Sequence, residues 1–370
     1  MNYETFEVLA SADGTSFLKI ELACATVKDH YFLCTKSQTK LPNENILKCS
    51  TGLRVYEGAQ VLAAFFVKFG RMLLPQQSIE ESSEASKNWV VELGCGCGLV
   101  GFTIATIFPQ LCVAFTDASH DCLGLIEATA KRLGFSFFRS ECDEFMESTH
   151  NTMDRTLLTF PLEWYKEGTD QLLSLLRRFC GRKERLLNGD IRAILGSDLL
   201  YYRVDIENLL GTCKSLLQAS IEENEGENIS SRCFPSMVIL THFVRIPDGA
   251  RKLQTVAYKL GFGIVRVPTE EFIAEEIIRN RGWNGVSVVV LFLRESQKGY
   301  DPEVLTSDEY RRQLEEEDLA KARKLFCEGK FSFPREAFAC YSKDMELLDS
   351  LMTQFPLVEC ELSTLPYLVS

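Results

Sequence analysis

The sequence lacks the features that place a chain in a membrane, on a nucleic acid or in a disulfide scaffold. No segment reaches the roughly 18 consecutive apolar residues of a membrane-spanning helix, so no membrane partner is expected. The N-terminal stretch MNYETFEVLA carries acids and lacks the basic-then-apolar profile of a secretory signal. Basic charge is scarce: 40 Lys and Arg stand against 52 Asp and Glu, a formal net charge of −12. Binding to phosphates demands basic surface, so no nucleic-acid partner is expected. The one basic cluster, RRFCGRKER at 177–185, reads as a solvated helix face. The 14 cysteines include no Cys-x-x-Cys pair. They read as reduced thiols of a cytoplasmic or nuclear protein. Internal repeats are absent.

What is present is an alternation of short β-type runs with helical stripes. Seven runs read as strands: 89–93, 112–116, 156–162, 191–197, 237–243, 263–267 and 286–293. Leu62, Phe65, Phe66 and Phe69 mark one helix, Ile206, Leu209, Leu210, Cys213 and Leu217 a second, and Leu253, Val256, Ala257 and Leu260 a third. Such alternation implies a mostly parallel sheet covered on both faces. The short interval 273–285 predicts that the last two strands pair antiparallel. Polar stretches at 75–88 and 220–231 read as loops.

Three segments follow: a β-rich element at 1–50, built on runs 17–27 and 30–34, an α/β domain at 51–295, and a helical extension at 296–370. In the extension, Thr306 and Glu309 form a capping box for a charged helix that Gly329 stops. Phe338, Tyr341, Met345, Leu348 and Met352 line a second helix from Pro334. The extension brings no glycine motif and no acid–base–nucleophile cluster, so a chain ended at residue 295 is expected to keep ligand binding.

The stretch NWVVELGCGCGLVGFTIA, 88–105, places Gly94, Gly96 and Gly98 between a strand and a helix. A dinucleotide turn would put glycine or alanine where Leu99 stands, and a Walker loop would end in Gly-Lys-Ser/Thr. Cys95 and Cys97 have no second ligand pair, which argues against a metal. Glu92, inside an apolar strand, is costly unless it has a partner. Asp117 ends the next strand, placed to accept the hydroxyls of a ribose.

Together these residues resemble motif I and the acid that follows it in seven-β-strand (class I) S-adenosylmethionine-dependent methyltransferases. GLRVYEGAQVLAAFF at 52–66, Leu162-Glu163-Trp164 and Asp198-Leu199-Leu200-Tyr201 resemble, in order and context, the methyltransferase-like family 16 protein lysine methyltransferases. Tyr56 and Glu57 stand where that family usually has Trp and an acid or small residue.

The resemblance implies a Rossmann-like doubly wound seven-stranded sheet with an antiparallel last strand, S-adenosylmethionine as cofactor, and a protein lysine as acceptor, met in a complex with the substrate protein. It implies a cofactor site of Tyr56, Glu92, Gly94, Cys95, Gly96, Gly98, Asp117, Trp164 and Ser197. Asp198 and Tyr201 would be catalytic, converging on the amine from one helical turn. His242 is a candidate proton acceptor, with a buried structural role as the alternative. Two further readings stay open: transfer to arginine, histidine or a small molecule, and a non-catalytic interaction protein that binds the cofactor.

Overall fold

The computed structural model describes residues 2–11, 14–25, 52–74, 88–140, 156–180, 186, 190–201, 204–219, 236–243, 249–294, 300, 305, 307–328 and 332–342. The polar stretches 75–87 and 220–231, the run 30–34, Thr306 and Gly329 lie outside them. A hairpin opens the chain, β1 (Asn2–Leu9) paired antiparallel with β2 (Phe17–Cys24). The run at 17–24 is therefore a strand as expected, but its partner is the N-terminal stretch.

The main sheet has nine strands: β3 (Asn88–Leu93), β4 (Leu111–Asp117), β5 (Ser136–Arg139), β6 (Thr156–Pro161), β7 (Ile191–Gly196), β8 (Met237–Phe243), β9 (Phe262–Pro268), β10 (Val286–Leu293) and β11 (Ala339–Cys340). Their spatial order is β11-β9-β10-β8-β7-β3-β4-β6-β5. The β7-β3-β4-β6-β5 core and the β7–β8 pair are parallel. β10 is antiparallel to both β8 and β9. All seven expected strands are present. β5 and β11 are additions at the two edges.

Helices cover both faces. α1 (Glu57–Leu73), α2 (Leu99–Ile107) and α3 (His120–Leu133) share one apolar core with the hairpin. α4 (Lys166–Phe179), α5 (Ile206–Ala219) and α6 (Gly249–Lys259) pack on the other face. α7 (Glu275–Arg281) lies between β9 and β10. Along β3 the alternation is direct: Val90 enters the first core, and Trp89, Val91 and Leu93 enter the second.

The C-terminal region forms the expected helical extension only in part. α8 (Asp308–Cys327) is capped by Ser307, whose hydroxyl accepts the Tyr310 N–H. Where a helix from Pro334 was expected, a 3-10 turn (Arg335–Ala337) leads into β11, which pairs with β9. α8 buries charge: the Arg294 and Asp318 side chains, 8% and 2% exposed, meet at 2.7 Å. Asp318 also accepts the Ile264 N–H at 3.0 Å. The Arg294 guanidinium carbon lies 4.9 Å from the Tyr258 ring centroid and 4.8 Å from that of Tyr300. Leu314 belongs to one core, Ala322 and Phe326 to the other, so α8 wraps the sheet edge. Phe333 packs against Phe69 of α1, ring centroids 4.8 Å apart and planes tilted by 49°. The described residues between 305 and 342 thus complete the same cores as the α/β domain.

His242 is fully buried on β8, and its Nδ1 shares a hydrogen bond of 3.0 Å with the Tyr341 hydroxyl. It does not line the cleft described below, so the structural role holds. Burial pushes its pKa down to about 4. Between that value and the unfolded value near 6.5, the unfolded chain binds the extra proton. Stability is therefore lost as pH falls from about 6.5 through about 4, by up to about 3 kcal/mol. Urea unfolding at pH 7 and pH 4.5 checks this: His242→Gln is expected to lose about 2–3 kcal/mol less than the parent on acidification. Equal losses would contradict it.

Candidate functional site

The strand order reverses at β3, with β4 on one side and β7 on the other. Ligands in open α/β sheets bind outside the carboxyl ends of strands at such a point. A cleft of about 790 Å³ lies there, lined from the ends of β3, β4, β6 and β7.

Its floor is the glycine turn. Gly94, Gly96 and Gly98 have φ of +55°, +51° and +75°, a region costly for residues with a Cβ. Space demands glycine too. A Cβ on Gly94 would sit 2.6 Å from Leu199 Cδ2, and one on Gly96 would sit 2.8 Å from the Gly52 carbonyl oxygen. The turn is tied down by the Cys95 N–H donating to Thr116 O at 2.9 Å and the Gly98 N–H donating to Cys95 O at 2.7 Å.

Glu92 is 1% exposed and lies beneath the turn, outside the cleft lining. Gly98, the N-cap of α2, offers no side chain to satisfy the helix's first N–H groups. Glu92 Oε2 fills that role, accepting the Gly101 N–H at 3.0 Å. Desolvation raises its pKa to about 8. The bond it makes goes to the helix start, which its strand position beside α2 dictates.

Asp117 lines the cleft at the end of β4. One oxygen accepts the Gly96 N–H at 3.0 Å, the other the Ser119 N–H at 2.8 Å. Burial raises its pKa, and these N–H groups oppose the shift. The Ala118 N–H and the Cys122 thiol also donate to this carboxylate. Cys95 is buried, and its thiol is held well above its usual pKa by that burial.

Trp164, Ser197, Tyr56, Asp198 and Tyr201 also line the cleft. The Trp164 ring edge passes 3.4 Å from the Cβ position of Gly94. Tyr56 is the N-cap of α1. The helical turn expected at 198–201 does not form. Asp198 has φ +55°, and the backbone runs on without helix. Leu199 and Leu200 turn into the core, which leaves Asp198 and Tyr201 on one cleft without the i, i+3 register. The Asp198 N–H donates to Thr241 Oγ1 at 3.4 Å. Its carboxylate faces the first turn of α1, where a Cβ on Gly58 would lie 2.5 Å from Oδ2.

Sequence reasoning missed Gly52, Arg54, Ser119, Glu163 and Tyr165, which line the same cleft. Gly52, Arg54 and Glu163 lie inside stretches that carry the resemblance, and Ser119 and Tyr165 stand beside Asp117 and Trp164, but none has a periodicity or spacing that marks it. Among the described residues no group of His, Cys, Asp and Glu is arranged to hold a metal, and no helix is long and apolar enough to cross a membrane.

The site fits an adenosyl cofactor: a glycine-floored cleft, an acid at the end of β4 and an aromatic on the same lining. Residues 35–131, which carry the glycine turn and Asp117, match the model of a family described as lysine methyltransferase. The ribosomal RNA large subunit methyltransferase G of Shewanella denitrificans is 26% identical over 169 residues, 44% of this chain and 42% of that protein. The protein of the same name from Shewanella oneidensis is 28% identical over 133 residues, 35% of each chain. The chain spans about two fifths of the length of these curated relatives. The solved structure of human methyltransferase-like protein 13 with SAH matches 62% of this chain and 82% of its own, at 14% identity and a TM-score of 0.31. In residues 35–131 the chain resembles the lysine methyltransferase family, its fold is that of the class I methyltransferases, and S-adenosylmethionine is the cofactor these findings support.

Proposed function

We propose that the protein transfers the methyl group of S-adenosylmethionine to the ε-amine of a protein lysine. The observation that carries this reading is the left-handed glycine turn backed by Asp117, within the segment that matches the lysine methyltransferase family. When bound, the cofactor supplies a methyl carbon on a sulfonium, an excellent leaving group, so alignment is the main demand on the protein.

Gly94, Cys95 and Gly96 let the backbone run beside the methionine moiety. Asp117 accepts the ribose hydroxyls, and Trp164 and Ser197 border the adenine. Tyr56 closes the far side. Asp198 and Tyr201 face the acceptor: the carboxylate attracts the incoming ammonium, and the phenol orients the amine once it has lost its proton. The ammonium would give one proton to water on entering the cleft, and the amine so held would receive the methyl group and remain a cation with its other two protons.

Asp117→Ala is expected to weaken S-adenosylhomocysteine binding by about 1.5–3 kcal/mol, as for hydrogen bonds to a charged group. Calorimetry on a variant whose thermal unfolding shows it folded measures this. Unchanged affinity would remove Asp117 from the site.

A second reading, an RNA acceptor, is favoured by the names of the Shewanella relatives. The net charge of −12 and the carboxylates lining the cleft stand against it. Incubation with methyl-labelled cofactor and either cellular protein or ribosomal RNA separates the two. Label on lysine, located by mass spectrometry, supports the proposal; label confined to RNA defeats it. Cofactor binding without transfer to either would favour an interaction protein.

A further inference from the structure

We propose that Arg54 binds the carboxylate at the methionine end of the cofactor and so selects ligands that carry it. This rests on the reading of the cleft as an S-adenosylmethionine site. Five carboxylates line that cleft, and Arg54 is the single Lys or Arg among its described lining residues. A ligand that brings its own carboxylate into such a field is repelled unless a cation receives it.

Arg54 is placed and free to do so. Its side chain is exposed, and its guanidinium carbon lies 4.6 Å from the centroid of the Tyr56 ring. Stacking on a ring face fixes the plane of the guanidinium and leaves its edge donors available. Among the described residues no ion pair or hydrogen bond occupies those donors. The planar fork matches a carboxylate in bidentate fashion.

The backbone holds this group over the correct end of the cleft. Two residues before Arg54, the Gly52 carbonyl accepts from the Cys97 thiol at 3.4 Å, and it lies 2.8 Å from the Cβ position of Gly96. Two residues after it, Tyr56 starts α1. Arg54 is therefore suspended between the glycine turn and the helix, beside the stretch assigned to the methionine moiety. Asp117, assigned to the ribose, accepts the Gly96 N–H on the inner side of the same turn.

The test uses the full-length protein and two probes, S-adenosylmethionine and its decarboxylated form, with affinities read by competition against labelled S-adenosylhomocysteine. Arg54→Met is expected to lower the parent's preference for the carboxylated probe by about tenfold or more, equivalent to about 1.4 kcal/mol. Its affinity for the decarboxylated probe should stay within about twofold. Arg54→Lys should keep part of the preference, as a point charge without the fork. An undiminished preference in Arg54→Met overturns the proposal. So does equal weakening of both probes, which marks a structural role. Full affinity for both with loss of methyl transfer would move Arg54 to the acceptor side. A parent protein that binds neither probe takes down the cofactor reading itself, a different failure.

Discussion

A chain ended at residue 295 is expected to yield no soluble, folded protein, and Asp318→Ala alone to cost about 3–5 kcal/mol. Truncation removes the partner of Arg294, which would be left as an unpaired cation in the core, 8% exposed in the intact fold. It also uncovers β9, whose outer edge β11 and α8 protect. Leu314, Phe326, Phe333, Phe338 and Tyr341 are all lost from the two cores. Each such side chain contributes about 1.5–3 kcal/mol by burial, so together they are comparable to the roughly 5–15 kcal/mol that holds a typical domain together. In Asp318→Ala the packing stays, and the loss isolates the buried pair together with the bond from the Ile264 N–H. Urea unfolding of the full-length variant measures it. A soluble truncated chain that binds S-adenosylhomocysteine, or an Asp318→Ala loss below about 1 kcal/mol, would restore α8 to an appendage.

Why the sequence misjudged that region is instructive. The helix was legible, and its cap was placed one residue early. Its role was not, because Arg311, Glu315 and Asp318 read as solvated charge when their partners are out of sight. Asp318 is neutralised by Arg294, 24 residues away, and Glu315 accepts hydrogen bonds from the Gln254 amide and the Ser342 hydroxyl. Phe338 and Tyr341 satisfy a helical stripe equally well as residues flanking a two-residue strand. β5 was missed for the opposite reason: a four-residue edge strand, half exposed, carries too little periodicity to register.

The central sheet read well because parallel strands buried on both faces are continuous apolar runs. The glycine turn read well because each glycine is demanded locally. Asp117 was placed correctly at the strand end, and Glu92 was correctly marked as needing a partner, although that partner proved to be the Gly101 N–H. The turn at 198–201 was misread as helical because nothing in Asp-Leu-Leu-Tyr announces a positive φ at aspartate.

That backbone conformation decides how Asp198 should be tested. Asn tolerates the left-handed region nearly as well as Asp, so Asp198→Asn keeps the turn, the Thr241 contact and the side-chain volume while removing the charge. If the carboxylate guides the acceptor ammonium, methyl transfer should fall by about 100-fold, the loss that follows a misplacement near 1 Å. Affinity for S-adenosylhomocysteine should fall by less than about tenfold. Gly58→Ala provides the complementary displacement. Its new methyl would lie 2.5 Å from Asp198 Oδ2 and 2.6 Å from Thr241 Oγ1, so the carboxylate must shift without losing its charge. It should reproduce part of the transfer defect, and combining it with Asp198→Asn should add little, because both act on one group. Tyr201→Phe, at a residue 38% exposed on the cleft, should show a milder form of the same split. Single-turnover rates and calorimetry on the four variants measure the two quantities separately. Were Asp198→Asn to abolish cofactor binding, the carboxylate would belong to the adenosine pocket. Were it to keep full transfer while Gly58→Ala lost it, the packing of α1 against β7 and β8 would matter to the reaction, and the charge would not.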